Sequence, residues 1–346
     1  MAEGLTFQQK KVVMNPAVSV IIPTFNRADS VQKAIDSVLA QTFSDLEIIV
    51  VDDGSNDGTG EILKRRYGNR IRYHAQHNLG PSAARNNGIA HSRGEWIAFL
   101  DSDDLWENDK LEWQFKALLQ FGRQYGACYT DVRLFNNAEK RTLFQMAQDT
   151  CQHQTQMGIR RDVQRFLVKA PGAGMLVFIG SILARAHEVR KTGGFDLNLR
   201  FGEDTDFLFR LAMITDFCYV NLPLVWFDRA PAEVRHVGPS AEWNRMRFIL
   251  EQARLRLEKF LRLNTGSTEV RELIREQLRT VHSGLTNCHL EAGEYGQARK
   301  AISKAARISL TSNVAVKWLL TWFAPGLAVR TVRHHLKNKN QPFPVI

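Results

Sequence analysis

Cysteine is scarce. The 346 residues hold four, Cys128, Cys151, Cys218 and Cys288, with no Cys-x-x-Cys and no Cys/His ligand spacing. That pattern offers neither a disulfide framework nor a zinc site, and each thiol reads as a small buried apolar group. Met1 to Lys11 contains no apolar signal-peptide core. Together these two absences lead to the expectation of a reducing, cytoplasmic compartment. Low-complexity segments are missing too. With 44% apolar and 24% charged residues, disordered, collagenous and coiled-coil classes are excluded. The length suits two domains, or one large domain with an extension.

Acidic residues are lacking in one region only. The formal net charge is +10, which by itself invites a polyanion partner. Residues 1–230 hold 27 Lys+Arg against 27 Asp+Glu, whereas residues 231–346 hold 19 against 9. After Glu294 there are nine basic residues and no acid. The body is neutral and the tail basic, so the excess points to a surface or polyanion contact by the tail, separate from the chemistry.

What is present in the first hundred residues is alternation. Val18 to Ile22 is a short β-branched run that reads as a buried strand, and Leu46 to Val51 is another. Ile71 to His74 is a third and Trp96 to Leu100 a fourth. Between them, Val31, Ala34, Ile35, Val38 and Leu39 fall at helical spacing, Ile62 and Leu63 mark a short helix, and Pro81 to His91 starts with proline in its first turn. Strand and helix in alternation predict an α/β fold with a parallel sheet covered on both faces. Ligands bind such sheets at the carboxyl ends of the strands. Thr24 and Asn26, Asp52 and Asp53, and Asp101 and Asp103 follow three of those strands, so three polar clusters share one edge. Further on, Leu111 to Phe121 reads as a helix, Ala127 to Phe135 and Val177 to Ala184 as strands, 136–175 as loop-rich, and Thr205 to Ile214 as a helix with an acidic first turn that suits its dipole. From Trp243 onward the pattern is helical. Residues 293–308 match half of a tetratricopeptide repeat at Gly293, Tyr295, Ala298 and Ala305; with a single copy, a helical hairpin is the simpler reading.

Crowded carboxylates repel, and a divalent cation relieves that cost. Asp101-Ser102-Asp103 at a strand end presents two hard oxygen donors for such an ion, with water and a diphosphate completing its shell. Helix capping by Asp103 or Asp104 is the alternative. A base-catalysed displacement needs one positioned carboxylate to take a proton from a hydroxyl. Asp204, just ahead of the helix read from Thr205, is open to capping it.

These motifs in order resemble glycosyltransferase family 2. The resemblance rests on Val18–Arg27 (VSVIIPTFNR), Glu47–Thr59 (EIIVVDDGSNDGT), Asn78–Gly88 (NLGPSAARNNG), Gly94–Asp104 (GEWIAFLDSDD), Gly193–Asp196 (GGFD) and Gly202–Phe207 (GEDTDF), covering roughly 17–240. It implies a GT-A fold, a nucleotide-sugar donor with UDP as the usual carrier, a divalent metal (Mn2+ or Mg2+) and inversion at the anomeric carbon. By the same resemblance Pro23, Thr24 and Asn26 surround the nucleoside, Asp53 bonds the base, and Arg85 approaches the phosphates or sugar. Asp101, Ser102 and Asp103 form the DxD motif, with Asp103 the direct metal ligand, and Asp204 is the base beside Glu203. Relatives often carry a basic or His-containing loop over the diphosphate. Arg235-His236 sits at that place, where His236 would reach the metal and Arg235 a phosphate, or the loop makes no ligand contact. The implied organisation is an N-terminal extension (1–16), a GT-A domain (17–240, divided into a nucleotide half 17–104 and an acceptor half 105–240) and a helical basic C-terminal extension (241–346). The implied activity is hexosyl transfer to a saccharide or lipid-linked acceptor in surface polysaccharide or glycolipid synthesis.

Trp226, Phe227 and Trp243 are open to sugar stacking or to core packing. Between Lys317 and Arg330 lie only twelve uncharged residues, too few to span a bilayer. Trp318, Trp322 and Phe323 with flanking basic residues suit a helix lying at an anionic membrane surface, on the inner face of the cytoplasmic membrane, or a helix packed on the catalytic part. A nucleotidyltransferase would need a basic triphosphate loop early in the chain, where only Arg27 is found. A non-catalytic polyanion binder leaves Asp53, Asp101 and Asp204 unexplained, and no nucleic-acid partner is expected.

Overall fold

The computed structural model describes residues 15–134, 142–146, 155–169, 177–227, 239–263 and 267–338. The elements run β1 (Val18–Thr24), α1 (Ala28–Leu39), β2 (Leu46–Asp52), α2 (Thr59–Tyr67), β3 (Arg72–Ala75), α3 (Pro81–His91), β4 (Trp96–Phe99), β5 (Leu105–Trp106), α4 (Lys110–Phe121) and β6 (Tyr125–Leu134). Then follow α5 (Leu143–Met146), β7 (Met157–Arg160), α6 (Val163–Lys169), β8 (Leu183–Arg185), α7 (Ala186–Lys191), α8 (Glu203–Leu211) and β9 (Asp216–Phe227). Five helices close the chain: α9 (Pro239–Arg262), α10 (Thr268–Glu291), α11 (Tyr295–Ile308), α12 (Ser312–Phe323) and α13 (Pro325–Asn338).

One mixed sheet runs in the order β3-β2-β1-β4-β8-β6-β9-β5, with β7 also paired to β9. The first four strands in that order are parallel, β1 lying between β2 and β4. Every residue of β1 is buried, because helices cover both faces and leave no polar side for alternation. The parallel register places the ends of β1, β2 and β4 on one edge, as the strand pattern predicts. Beyond β4 the sheet turns antiparallel through β8 and then resumes with β6 and β9 side by side in parallel.

Two expectations need correction, and one strand went unforeseen. Val177 to Ala184 is not one strand: a 3-10 turn at Ile179–Ser181 precedes the short β8. Within 136–175, the described residues form α5, β7 and α6 rather than loop alone. Residues 216–227, to which the sequence pattern assigned nothing, form the twelve-residue β9. Its Pro223 lies beside register shifts in the β6 pairing, the kind of irregularity that lets proline stand in a strand.

The apolar core is continuous from the sheet into the C-terminal helices, where Leu250, Leu257, Phe260, Ile274 and Leu278 belong to it. One face of α9, at helical spacing, carries the docking. Gln252 Oε1 accepts from the Arg200 backbone N–H (2.8 Å), and Lys259 Nζ donates to Asp196 (2.6 Å). Phe260 stacks on Phe209 of α8 at 3.8 Å between ring centroids. Further along, α10 and α11 form the helical hairpin, with Ala298, Ala301 and Ala305 buried at the contact. Cys128, Cys218 and Cys288 are free and buried; Cys151 lies outside the described residues.

Because Phe260 is wholly buried against α8, Phe260→Ala should cost about 3–5 kcal/mol of stability, read as a shifted urea midpoint.

Candidate active site

Three loops meet at the strand ends and enclose a cavity of about 520 Å3, lined among others by Pro23, Thr24, Asp53, Arg85, Asp101 and Asp103. The sequence named all six. Thr24 Oγ1 and Arg85 Nε are buried and have no partner there, so the cavity wall offers hydrogen-bonding capacity that the protein leaves unused.

Each loop is held by carboxylates and amides rather than by packing alone. Asp52 accepts from the Ser55 backbone N–H (2.8 Å) and the Tyr73 hydroxyl (2.7 Å), which shapes the turn after β2. Asp53 accepts from Gln76 Nε2 (2.7 Å), Leu79 N (2.9 Å) and Gly80 N (2.7 Å). It therefore anchors the loop that opens α3 and still reaches the cavity. Asn26, with a left-handed φ of 51°, uses its side chain to accept from Asn56 N (2.9 Å); it braces the cavity rim and does not line it. Ser102 is likewise buried outside the lining.

Arg85 is the centre of the site. Its Nη2 donates to Asp101 Oδ1 (2.7 Å) and its Nη1 to Glu203 Oε1 (3.1 Å). The guanidinium also stands 5.2 Å from the centre of the Phe195 ring. Burial opposes its charge, but the Asp101 and Glu203 carboxylates outweigh burial and hold the proton more tightly. Next to it, Asn86 clasps Phe195 in both directions, donating to its carbonyl (2.9 Å) and accepting from its N–H (2.7 Å). A Cβ on Gly194 would collide with that Asn86 oxygen, and φ there is +79°. The Asn86 and Gly193-Gly194 motifs, far apart in sequence, are thus two halves of one contact.

Asp103 Oδ2 accepts from Arg27 (2.6 Å). Burial raises its carboxyl above the ordinary range, and nearby Asp101 adds to that, against the pull of Arg27. Neither Asp103 nor Asp104 caps a helix, since α4 starts at Lys110. Among the described residues no group of three or more His, Cys, Asp or Glu side chains converges as a metal site. Two carboxylates that repel each other, each with one oxygen not engaged by an arginine, fit a hard divalent ion that takes its other ligands from water and phosphate. Arg235 and His236 lie outside the described residues.

The helix α8 begins with three acids, Glu203, Asp204 and Asp206. Glu203 is bound by Arg85; Asp206 is bound by Arg210 (2.6 Å) and Lys259 (2.9 Å). Asp204 alone of the three makes no ion pair among the described residues. It is not the helix cap either: Gly202 holds that position, and Asp204 Oδ1 accepts from the Thr205 N–H (2.7 Å). Burial and the neighbouring Asp204 raise the Glu203 carboxyl, against Arg85. Trp226 donates to Glu107 (2.6 Å), Phe227 lies 4.6 Å from Phe178, and Trp243 packs at the core's edge, so all three serve packing.

The family description "Glycosyl transferase family 2" matches residues 19–169. The chain is 33% identical over 220 residues to an uncharacterized glycosyltransferase of Rickettsia typhi, covering 63% of each chain. Over part of its length the chain is thus similar to glycosyltransferases of family 2. A putative teichuronic acid biosynthesis glycosyltransferase of Bacillus subtilis, TuaG, is 41% identical over 108 residues, 30% of this chain and 43% of that one. The chain spans less than two thirds of the length of these curated relatives. Among solved structures, S. aureus TarS 1–349 in complex with UDP-GlcNAc aligns with a TM-score of 0.63 at 17% identity, covering 95% of this chain and 93% of that one. A mannosyltransferase from Pyrobaculum calidifontis in complex with GDP-Man and Mn2+ aligns at 0.54 and 18%, over 92% and 87%. At those identities the likeness establishes the GT-A type of fold. The segment matched by the family description ends before α8.

Sequence reasoning met Arg27 only as too little for a triphosphate loop and gave it no role here, and it overlooked Gln76 and Arg256. Gln76 had a signal, since it follows directly on a strand end; Arg256, on a helix far along the chain, had none.

Removing the cation that Asp101 and Glu203 share leaves two half-buried carboxylates without a partner. Arg85→Met should therefore cost about 3–5 kcal/mol near neutral pH. An acid raised by burial destabilises the fold only while ionised, so that loss should shrink as pH falls through the carboxylate range; urea titrations at several pH values would read it.

Proposed function

We propose that this chain transfers a sugar from a UDP-linked donor to a hydroxyl of a saccharide or lipid-linked acceptor, with inversion, in the synthesis of a surface polysaccharide or glycolipid. The observation that carries this reading is the unpaired Asp204 carboxylate. It stands in a helical turn whose other acids are neutralised by cations, and Arg85 links that turn to the cavity. A carboxylate free of ion pairs keeps a lone pair for an acceptor hydroxyl and so acts as general base. One base and a single in-line displacement invert the anomeric carbon. A hydrolase of the two-carboxylate type would have no use for the nucleotide-sized cavity.

In this mechanism Pro23, Thr24 and Asp53 form the nucleoside wall, with Asn26 bracing its rim. Arg27 and Arg85 sit where diphosphate charge develops. Asp101 and Asp103, with Ser102 between them, would hold Mn2+ or Mg2+, joined by His236, and Arg235 would approach a phosphate. The metal supplies Lewis-acid stabilisation of the leaving diphosphate. Bound UDP-GlcNAc in the TarS structure and bound Mn2+ in the mannosyltransferase support the donor class and the ion. TuaG, and a chondroitin synthase of Pasteurella multocida 38% identical over 123 residues, support a polysaccharide product. Residues 17–240 are proposed as the catalytic domain and 241–346 as its helical extension.

Among the described residues no helix is long and apolar enough to cross a membrane. Peripheral contact at the inner face of the cytoplasmic membrane is proposed for α12 and α13. One expected lipid contact is reversed: Lys317 and Trp318 turn inward to Ser283 and Ser303. The outward ridge is instead Val316, Leu319, Phe323 and Leu327, with Phe323 77% exposed, an apolar strip beside a basic surface.

Asp204→Asn should lower UDP release from a UDP-sugar by at least about 100-fold while thermal stabilisation by UDP persists; unchanged turnover ends the assignment. Leu319→Glu with Phe323→Glu should abolish flotation with vesicles containing phosphatidylglycerol, and equal flotation removes the membrane contact.

A further inference from the structure

Arg256 lies on the docking face of α9 between Gln252 and Phe260, and it is only 6% exposed. Its guanidinium packs onto Gly202, the residue just before the acids of α8. A Cβ on Gly202 would collide with Nη1 of Arg256, and φ at Gly202 is +74°. Its Nε is buried without a partner. Among the described residues the guanidinium makes no hydrogen bond and no ion pair. It nevertheless feels the field of three carboxylates, with Asp204 first, then Asp206 and Glu203.

For stability this is a poor arrangement. A buried charge without a paired partner costs several kcal/mol, on the order of the penalty for a broken buried ion pair. The position adds to the cost, since the start of a helix is its positive end and disfavours a cation. Burial accordingly makes the Arg256 proton easier to lose than usual, against the pull of those acids. A well-packed apolar side chain would serve the core better.

The distribution of cations around α8 explains what the charge does. Glu203 has Arg85, and Asp206 has Arg210 and Lys259. Asp204 is left with Arg256, held beyond ion-pair distance. A direct salt bridge would occupy the lone pairs that a general base needs. A cation held behind the turn, against Gly202, leaves the Asp204 oxygens open. Contact with Gly202 also fixes the backbone from which Asp204 projects.

We propose that Arg256 is a positioning residue for the transfer reaction, through which the C-terminal helices hold the turn that carries Asp204 in its working orientation. This rests on the reading of Asp204 as the base. It makes the helical extension part of the catalytic apparatus.

The test uses the full chain, UDP-GlcNAc, UDP-glucose and UDP-galactose as probes with Mn2+, and UDP release as the readout. Arg256→Met should be as stable as wild type or more so, yet release UDP about tenfold more slowly, with donor KM within about twofold. Arg256→Lys keeps the charge and should stay within about threefold of the wild-type rate, despite losing the planar fork. A stable Met variant at the wild-type rate overturns the proposal, and so does a rate loss that merely follows lost stability in both variants. Asp204→Asn run in parallel separates the two readings. If it is inactive while Arg256→Met is fully active, only the role of Arg256 falls. If it is fully active, the base assignment falls and the proposal with it.

Discussion

The buried bridge from Asp101 through Arg85 to Glu203 joins the two parts of the molecule on which any chemistry depends. Asp101 follows β4 of the parallel half, Arg85 belongs to α3, which packs on β1 and β2, and Glu203 opens α8 more than a hundred residues later. Each carboxylate alone would be costly in this setting, and so would the guanidinium. Together they form a unit whose members require one another. The Asn86–Phe195 clasp and the stacked Phe195 and Phe207 rings (4.4 Å between centroids) hold the same junction by neutral contacts. Removal of the charges therefore leaves a scaffold in which their loss can be measured.

From that junction the site extends in two directions. Toward the sheet, carboxylates fold the loops: Asp52 and Asp53 accept backbone and side-chain hydrogen bonds and so turn a strand end into a cavity wall. Toward the C-terminus, α9 lays one face along residues 196–211, where a glutamine, an arginine, a lysine and a phenylalanine each meet a different kind of partner. The basic excess of the last third divides the same way. Lys259 and Arg256 of α9 face the acids of α8, whereas the exposed part of the surplus stays with α11 to α13.

Much of this was legible in the chain. The strands β1, β2 and β4 announced themselves because burial on both faces demands an unbroken apolar run. The acids that follow them could be put on one edge because parallel pairing leaves no other choice. Thr24, Asp53, Asp101 and Asp103 of the cavity lining follow from that rule, whereas Pro23 and Arg85 came from the family resemblance. The failures also have physical reasons. The stretch 177–184 is apolar enough for a strand, but a Gly180-Ser181 turn closes within it. Strand β9 was hidden by Pro223, which a sheet accepts only at an irregular register. Lys317 reads as a solvated charge by type, yet its stem packs inward and its amine meets Ser283, a choice made by the neighbouring helix.

The sequence by itself determined the fold class, the edge at which the polar strand-end loops gather and the residues of those loops, because these follow from local periodicity and from the geometry of parallel strands. The tertiary structure alone decided which acid stays unpaired. Glu203, Asp204 and Asp206 are equivalent by position in one helical turn; only the cations brought to them by α3, α8 and α9 distinguish them. That selection is made by Coulomb interactions between residues remote in the chain, and such pairings leave no period or spacing to read.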